Sequence, residues 1–246
     1  MGDFSQYLWV KKNIDLIKSD VIEIGSKFYS DNTFSDYRSL CIKNNKNYLG
    51  IDLSEGKNVD HVIDFTEDIT LIEKTLKEKK LNTKYSAVIC CSVLEHVKDI
   101  FSFAKNISTI IEPGGTLFIS VPFSWEYHGY PSDYWRFTPN AIEYLFDSFS
   151  FKEEFRTISS HQDGDMQGII QDPNDFSYRQ ILDGVVQTKF QISNYEIFKA
   201  IYHLIKFKKI YNQKVLFNSI NTTRYLKPSC INMIGTKLSQ NEKHLI

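Results

Sequence analysis

The 246-residue sequence has no stretch near the roughly 18 consecutive apolar residues that a membrane-crossing helix requires. Its opening residues, MGDFSQYLWVKKNIDLIKSD, mix acids with lysines and hold no uninterrupted apolar core, so no secretory signal is expected. A strong basic excess is missing too. The 29 Lys+Arg and 30 Asp+Glu leave a formal charge of −1, which removes the simplest electrostatic case for binding nucleic acid. The four cysteines (Cys41, Cys90, Cys91 and Cys230) form no CxxC pair, and Cys90-Cys91 lies inside an apolar run. Cys90 and Cys91 read as small buried thiols rather than as ligands, and a reducing cytoplasm is expected. Glycine is also scarce where a dinucleotide site would need it. In VIEIGSKFYS, residues 21–30, Gly25 ends an apolar strand, but Lys27 and Tyr29 occupy the next alternate positions. The incomplete pattern counts against a GxGxxG dehydrogenase.

An apolar fraction of 42% and a charged fraction of 24% are those of an ordinary globular protein. Short apolar runs predict strands over 20–25, 47–53, 61–65, 85–92 and 116–122. Between them, periodicity near 3.6 residues predicts helices over 33–44, 69–80 and 99–111. Runs such as YSAVICCSV are apolar on both faces, as in strands covered on both sides, and the alternation implies a parallel, doubly wound sheet. Pro113-Gly114-Gly115 reads as a stop between helix and strand. Thr138 and Pro139 supply N-cap and N1 of a helix running through NAIEYLFDSF. Strands are expected at FKEEFRTIS and CINMIGTKL, with a loop over 164–174 and mainly helix over 175–213. The reading is one domain over 1–246, with 164–228 a mainly helical, acceptor-side insertion before the last strand.

Ligands of parallel sheets bind beyond the carboxyl ends of the strands. There the sequence places Glu23, Gly25 and Ser26, then Asp52-Leu53, Asp64-Phe65, and Cys91-Ser92-Val93 followed by Leu94-Glu95-His96. Asp52, 27 residues after Gly25, is placed to accept from a ribose diol. Asp64 suits an adenine amine, with Phe65 against the ring.

The ordered set VIEIGS, NYLGIDLSEGKNVDHVIDF, YSAVICCSVLEHV and IEPGGTLFISVPF resembles the class I S-adenosylmethionine (SAM)-dependent methyltransferases, and within them the type 11-like domain. The resemblance covers about residues 20–123. It implies a Rossmann-like, mostly parallel seven-stranded sheet with helices on both faces. It also implies SAM as cofactor and S-adenosylhomocysteine as product. Glu23-x-Gly25 matches the first half of the family's glycine motif, Asp52 its ribose acid, Asp64 its adenine-side acid, and 92–96 the wall beside the sulfonium. SAM carries no pyrophosphate, so the missing glycines matter less, and Lys27 becomes a candidate cation for the methionine carboxylate.

The segment PFSWEYHGYPSDYWRFTPNAIEYLF, 122–146, gathers His128, Tyr130, Asp133, Tyr134, Trp135 and Arg136. Its H-x-x-P-x-D-Y-W-R-F-T-P pattern is similar to one found in methyltransferases acting on surface polysaccharides or small metabolites. That implies O-methylation of a small polar acceptor, such as a capsule sugar or a nucleotide- or phosphate-linked precursor. His128 is the expected general base, with Asp133 orienting it, Arg136 gripping an acceptor anion and His96 as the alternative base. Trp135 and Phe137 are expected to dock the following helix. A SAM-binding partner subunit without activity is the competing reading.

His161-Gln162-Asp163-Gly164-Asp165 is a weak metal signal that a turn explains equally well, so no metal is expected. Residues 187–214 hold six lysines against one glutamate, with Phe198, Ile201, Tyr202 and Ile205 along one helical face. That face suits packing on its own domain or a homodimer partner, and peripheral contact with an anionic membrane surface stays open.

Overall fold

The computed structural model describes residues 4–28, 36–125, 127–129, 132–159, 167–169, 230–239 and 242. Tyr29, Tyr130, the 161–165 cluster and the lysine-rich 187–214 segment lie outside them. In chain order the elements are α1 (Phe4–Lys12), β1 (Asp20–Ile24), α2 (Tyr37–Lys43), β2 (Asn47–Asp52), β3 (His61–Val62), α3 (Ile69–Glu78) and β4 (Tyr85–Cys91). Then come α4 (Ile100–Ile110), β5 (Ile111–Pro122), α5 (Pro139–Leu145), β6 (Phe149–Phe151), β7 (Thr157–Ser159), β8 (Gln167–Ile169) and β9 (Cys230–Lys237).

The sheet runs β3-β2-β1-β4-β5-β9-β7-β8, and β6 also pairs with β9. From β3 to β5 every pairing is parallel, and those beyond β5 are antiparallel. β6 and β7 pair with opposite ends of β9, so they fill one sheet position interrupted by a 3-10 turn at Glu153–Phe155. Counted by position, this is the expected seven-stranded sheet, with β8 added at the edge. The single strand expected over 151–159 is therefore broken, and 167–169, read as loop, is a strand. Without β8, the outer edge of β7 would present unpaired backbone groups.

Alternating side chains feed a core on each face. Ile22, Val88 and Leu117 point into a cluster with Ile72 of α3 and Phe103 and Ile107 of α4. Val21, Ala87 and Phe118 join Trp9 of α1 and Leu40 of α2 on the other face. This is why 85–91 is buried throughout; all four cysteines are buried and unbridged. Caps start the helices where side chains dictate: Asp36, Asp68, Asp99 and Thr138 each accept from a first-turn N–H.

Several boundaries differ from expectation. α5 ends at Leu145, and Phe149, expected in that helix, opens β6 instead. β3 stops at Val62, because Asp64 Oδ1 accepts from Thr66 N (2.8 Å) and Oγ1 (2.7 Å) and turns the chain. Pro113-Gly114-Gly115 lies within β5 rather than before it. Register jumps there from Tyr85↔Ile111 to Ala87↔Thr116, and Gly114 takes φ +73°. α1 was not foreseen. Trp9 packs edge-on against Phe118, with centroids 5.7 Å apart, and Gln6 is fully buried.

Behind the β1 and β2 loops lies a buried polar network. The Tyr48 hydroxyl donates to Glu23, and Asn58 Nδ2 donates to Tyr48 (3.0 Å). Arg38 bonds Asn58 Oδ1 (2.7 Å) and Asp60 (2.8 Å), with its guanidinium 4.5 Å from the centre of the Tyr48 ring. Burial pushes the Glu23 carboxyl up to about 8, only partly offset by Tyr48 and Arg38. Since that value lies above the ordinary 4.5, the folded state holds this proton more tightly than the unfolded chain. The associated stability is complete below 4.5 and is lost as pH rises to 8. Thermal melts of Glu23→Gln between those pH values should show a shallower decline than the parent's. An unchanged decline would assign the pH dependence to other groups.

Candidate active site

The parallel strands end together, and their loops enclose a cavity of about 630 Å³. Gly25, Asp52, Leu53, Asp64, Phe65, Ser92 and Val93 all line it, so seven of the expected cofactor residues converge on one space. His96 lines it too.

Gly25 sits at φ +81°, where an L side chain is strained, and a Cβ there would stand 2.3 Å from Val93 Cγ2. Its N–H and that of Ser26 both donate to Ile51 O, at 2.9 and 3.0 Å, which brings the β1 and β2 loops side by side. Asp52, 9% exposed, accepts from Lys27 N (3.1 Å) and Ser54 N (3.3 Å). Its carboxylate is thus fixed by backbone at the cavity wall. Asp64 commits one oxygen to Thr66, and the Phe65 carbonyl accepts from Asn106 of α4 (2.8 Å). Ser92 adopts φ +55°. Its hydroxyl receives a hydrogen bond from Gln6 Nε2 (2.9 Å), which also reaches Ser120 Oγ (2.7 Å). Gln6 is the supporting residue that sequence reasoning missed. α1 lacks a clear apolar period, so only a polar residue beside Trp9 hinted at it.

Glu23, Ser26, Lys27 and Cys91 fall behind the cavity rather than on it. Glu23 is turned into the Tyr48 network, and the buried Ser26 hydroxyl has no hydrogen-bond partner and packs beside Gly50. Lys27 extends along Gly56 and places Nζ 2.8 Å from Ser54 Oγ, so its ammonium leads toward the β2 loop and not into the cavity. Lys27, expected at the methionine carboxylate, is thus absent from the cavity lining. Cys91 is packed on the α1 face of the sheet. Side chains alternate within a strand, so Glu23 and Cys91 point to the sheet face opposite Ile24 and Cys90, while Ser26 and Lys27 follow the end of β1.

Beyond the cavity, the 3-10 turn Leu94–His96 meets the segment after β5. Tyr134 N donates to Glu95 O (2.8 Å) and Trp135 Nε1 to Val97 O (2.9 Å), so Trp135 is held by the 94–97 turn rather than by the following helix, and Phe137 is buried. The His96 and His128 rings meet edge-on with centroids 5.0 Å apart. His96 Nδ1 is 2.7 Å from Ser132 O, and burial holds its imidazole below the ordinary 6.5. The Asp133 side chain is 1% exposed. It accepts from His128 N (3.0 Å) and lies 3.2 Å from His128 Nδ1. Arg136 bonds both Asp133 oxygens and holds that carboxyl down at about 2, while also bonding the Trp125 and Trp135 carbonyls. The guanidinium expected to grip an acceptor is therefore engaged within its own loop, because Asp133 lies one helical-type step away at i−3. Glu95, 1% exposed, has its carboxyl pushed up to about 7 by burial.

No helix among the described residues is long and apolar enough to cross a membrane. A family model described as a methyltransferase domain matches residues 22–158, more than half of the chain. Over 52 residues the sequence is 38% identical to the ubiquinone biosynthesis O-methyltransferase of Rickettsia canadensis, a match spanning 21% of this chain and 22% of that protein. A SAM-dependent methyltransferase from Archaeoglobus fulgidus shares the fold, with a TM-score of 0.51 and 14% identity over 94% of this chain and 92% of its own. The matched span runs from β1 to β7 and contains the cavity, Asp52, the 92–96 turn and the His128 segment, and the chain belongs to the methyltransferase-domain family, with the class I fold that uses S-adenosylmethionine.

Proposed function

We propose that this protein transfers a methyl group from SAM to an oxygen of a small polar acceptor. A surface-polysaccharide sugar or its nucleotide- or phosphate-linked precursor is the acceptor class. One observation carries the cofactor part of the reading. The Asp52 carboxylate and the side-chain-free Gly25 turn, against which Val93 packs, line the same cavity, where a ribose needs an acceptor and a methionine chain needs close approach to backbone. The residues present fit the cofactor: Asp52 holds the ribose, Asp64 and Phe65 meet the adenine side, and Ser92 and Val93 border the methionine side. Glu23, Ser26, Lys27 and Cys91 shape these loops from behind. When bound, SAM supplies an electrophilic methyl group on a sulfonium.

The acceptor lies toward His96 and His128, beyond the cavity. Positioning supplies much of the acceleration of an in-line displacement. His128 is the acceptor-activating residue, Asp133 orients it, and Arg136 acts through Asp133 as a positioning residue. The exposed rings of Tyr127, Tyr134 and Trp125 give the segment an aromatic surface suited to a sugar or nucleotide face. The partial similarity to an O-methyltransferase supports oxygen as the methylated atom.

Calorimetric titration tests the cofactor site. Asp52→Ala should weaken SAM binding by roughly 10–100-fold, the loss of hydrogen bonds to a charged acceptor. Gly25→Ala should weaken it at least about tenfold, and adding Val93→Ala should restore only part, because the backbone strain of about 1–2 kcal/mol remains. Unaltered affinity in both single variants would place the cofactor elsewhere. Release of S-adenosylhomocysteine across a panel of nucleotide sugars and sugar phosphates tests the acceptor, and silence across the panel would sink this acceptor class.

A further inference from the structure

A buried carboxylate oxygen with no partner is costly unless something satisfies it. Glu95 Oε2 is such an atom, on a residue 1% exposed, and Glu95 Oε1 lies 3.9 Å from His96 Nε2. One ligand-capable atom from each of Glu95, His96 and His128 lies within 4.8 Å of the other two. Both imidazoles are backed by acceptors on the same ring nitrogen. His96 Nδ1 is 2.7 Å from the Ser132 carbonyl, which only accepts, so Nδ1 carries the hydrogen and Nε2 the lone pair. His128 Nδ1 faces the Arg136-bonded Asp133 carboxyl group at 3.2 Å, an acceptor that selects the same tautomer. A carboxylate or carbonyl behind each imidazole is the outer-shell arrangement that orients metal-ligating histidines.

We propose that Glu95, His96 and His128 form a divalent-cation site facing the acceptor. Two imidazoles and one carboxylate suit zinc, or cobalt in its place, better than calcium or magnesium, and three protein ligands leave a coordination position open. Bonds of about 2.0–2.2 Å place tetrahedral ligands roughly 3.3 Å apart, so the cluster contracts by around an ångström on binding. His128, with a side chain 38% exposed on a loop, has the freedom to make that movement. The site rests on the reading of the protein as a methyltransferase and states how His128 activates the acceptor. The acceptor hydroxyl occupies the open position and gives its proton to solvent. Its oxygen then forms the new O–C bond as the S–C bond of SAM breaks, with the electron pair staying on sulfur.

The test is titration of the chelator-treated full chain with zinc and with cobalt, read by calorimetry and by cobalt's visible absorption. About one equivalent should bind, and His128→Ala and Glu95→Gln should each weaken binding at least tenfold. Asp133→Asn should weaken it about 10–100-fold through the outer shell. His128 does not line the cofactor cavity, so SAM affinity of His128→Ala should stay within about threefold of the parent's. That separates this proposal from the cofactor reading, which fails instead if the parent binds no SAM. No stoichiometric cation binding by the parent, or equal binding by His128→Ala and Glu95→Gln, overturns the site and leaves His128 to act as a base directly.

Discussion

The cavity exists because the chain makes a turn at Gly25 that no other residue could make in the same space. Val93 occupies the position where a Cβ would go, so the β1 and β4 loops touch through one missing side chain. The N–H groups of Gly25 and Ser26 share the Ile51 carbonyl, which ties the same turn to β2. Three strand ends are thereby fixed with respect to one another, and Asp52, Ser92 and His96 follow from their places on those ends. Residues beyond the turn are less constrained. Lys27 can carry a full side chain two residues on, because the close approach happens at Gly25.

Polar groups buried behind the cavity hold its wall. Glu23, Tyr48, Asn58 and Arg38 form a chain under the β1 and β2 loops, and Asn58 also bonds the Ser26 carbonyl (2.9 Å). On the other side, Gln6 bridges Ser92 and Ser120, and Ser120 donates to Asn232 of β9 (2.6 Å). Such networks cost stability when one member is lost, because the remaining groups stay buried without partners. They make the loops rigid without placing charge in the cavity itself.

The segment after β5 is organised around Asp133. Its carboxylate gathers the His128 backbone, the His128 ring and the Arg136 guanidinium, while Trp135 and Tyr134 pin the segment to the 94–97 turn. The two histidines are brought face to edge by contacts that neither makes alone. Arg136 bonds Asp133 and the Trp125 and Trp135 carbonyls, which ties its guanidinium to its own loop.

The sequence by itself determined the layered fold and most of the cavity wall. Strand ends repeat a simple rule: apolar runs stop at Gly25, Asp52 and Ser92, and parallel strands bring such ends to one edge. It also placed Thr138 at the N-cap and Cys90 and Cys91 in the interior, since these depend on local chemistry or on burial of a continuous apolar run. Only the tertiary structure decided which neighbours of those strand ends point into the cavity. Alternation turned Glu23 toward Tyr48 and Cys91 onto the α1 face, and a nearby hydroxyl drew Lys27 toward Ser54. The pairing of His96 with His128 across 32 residues, the commitment of Arg136 to Asp133, and the reach of Gln6 to Ser92 are contacts between distant segments. Periodicity and spacing report which face a residue shares with its neighbours, and they carry no information about which distant group meets that face.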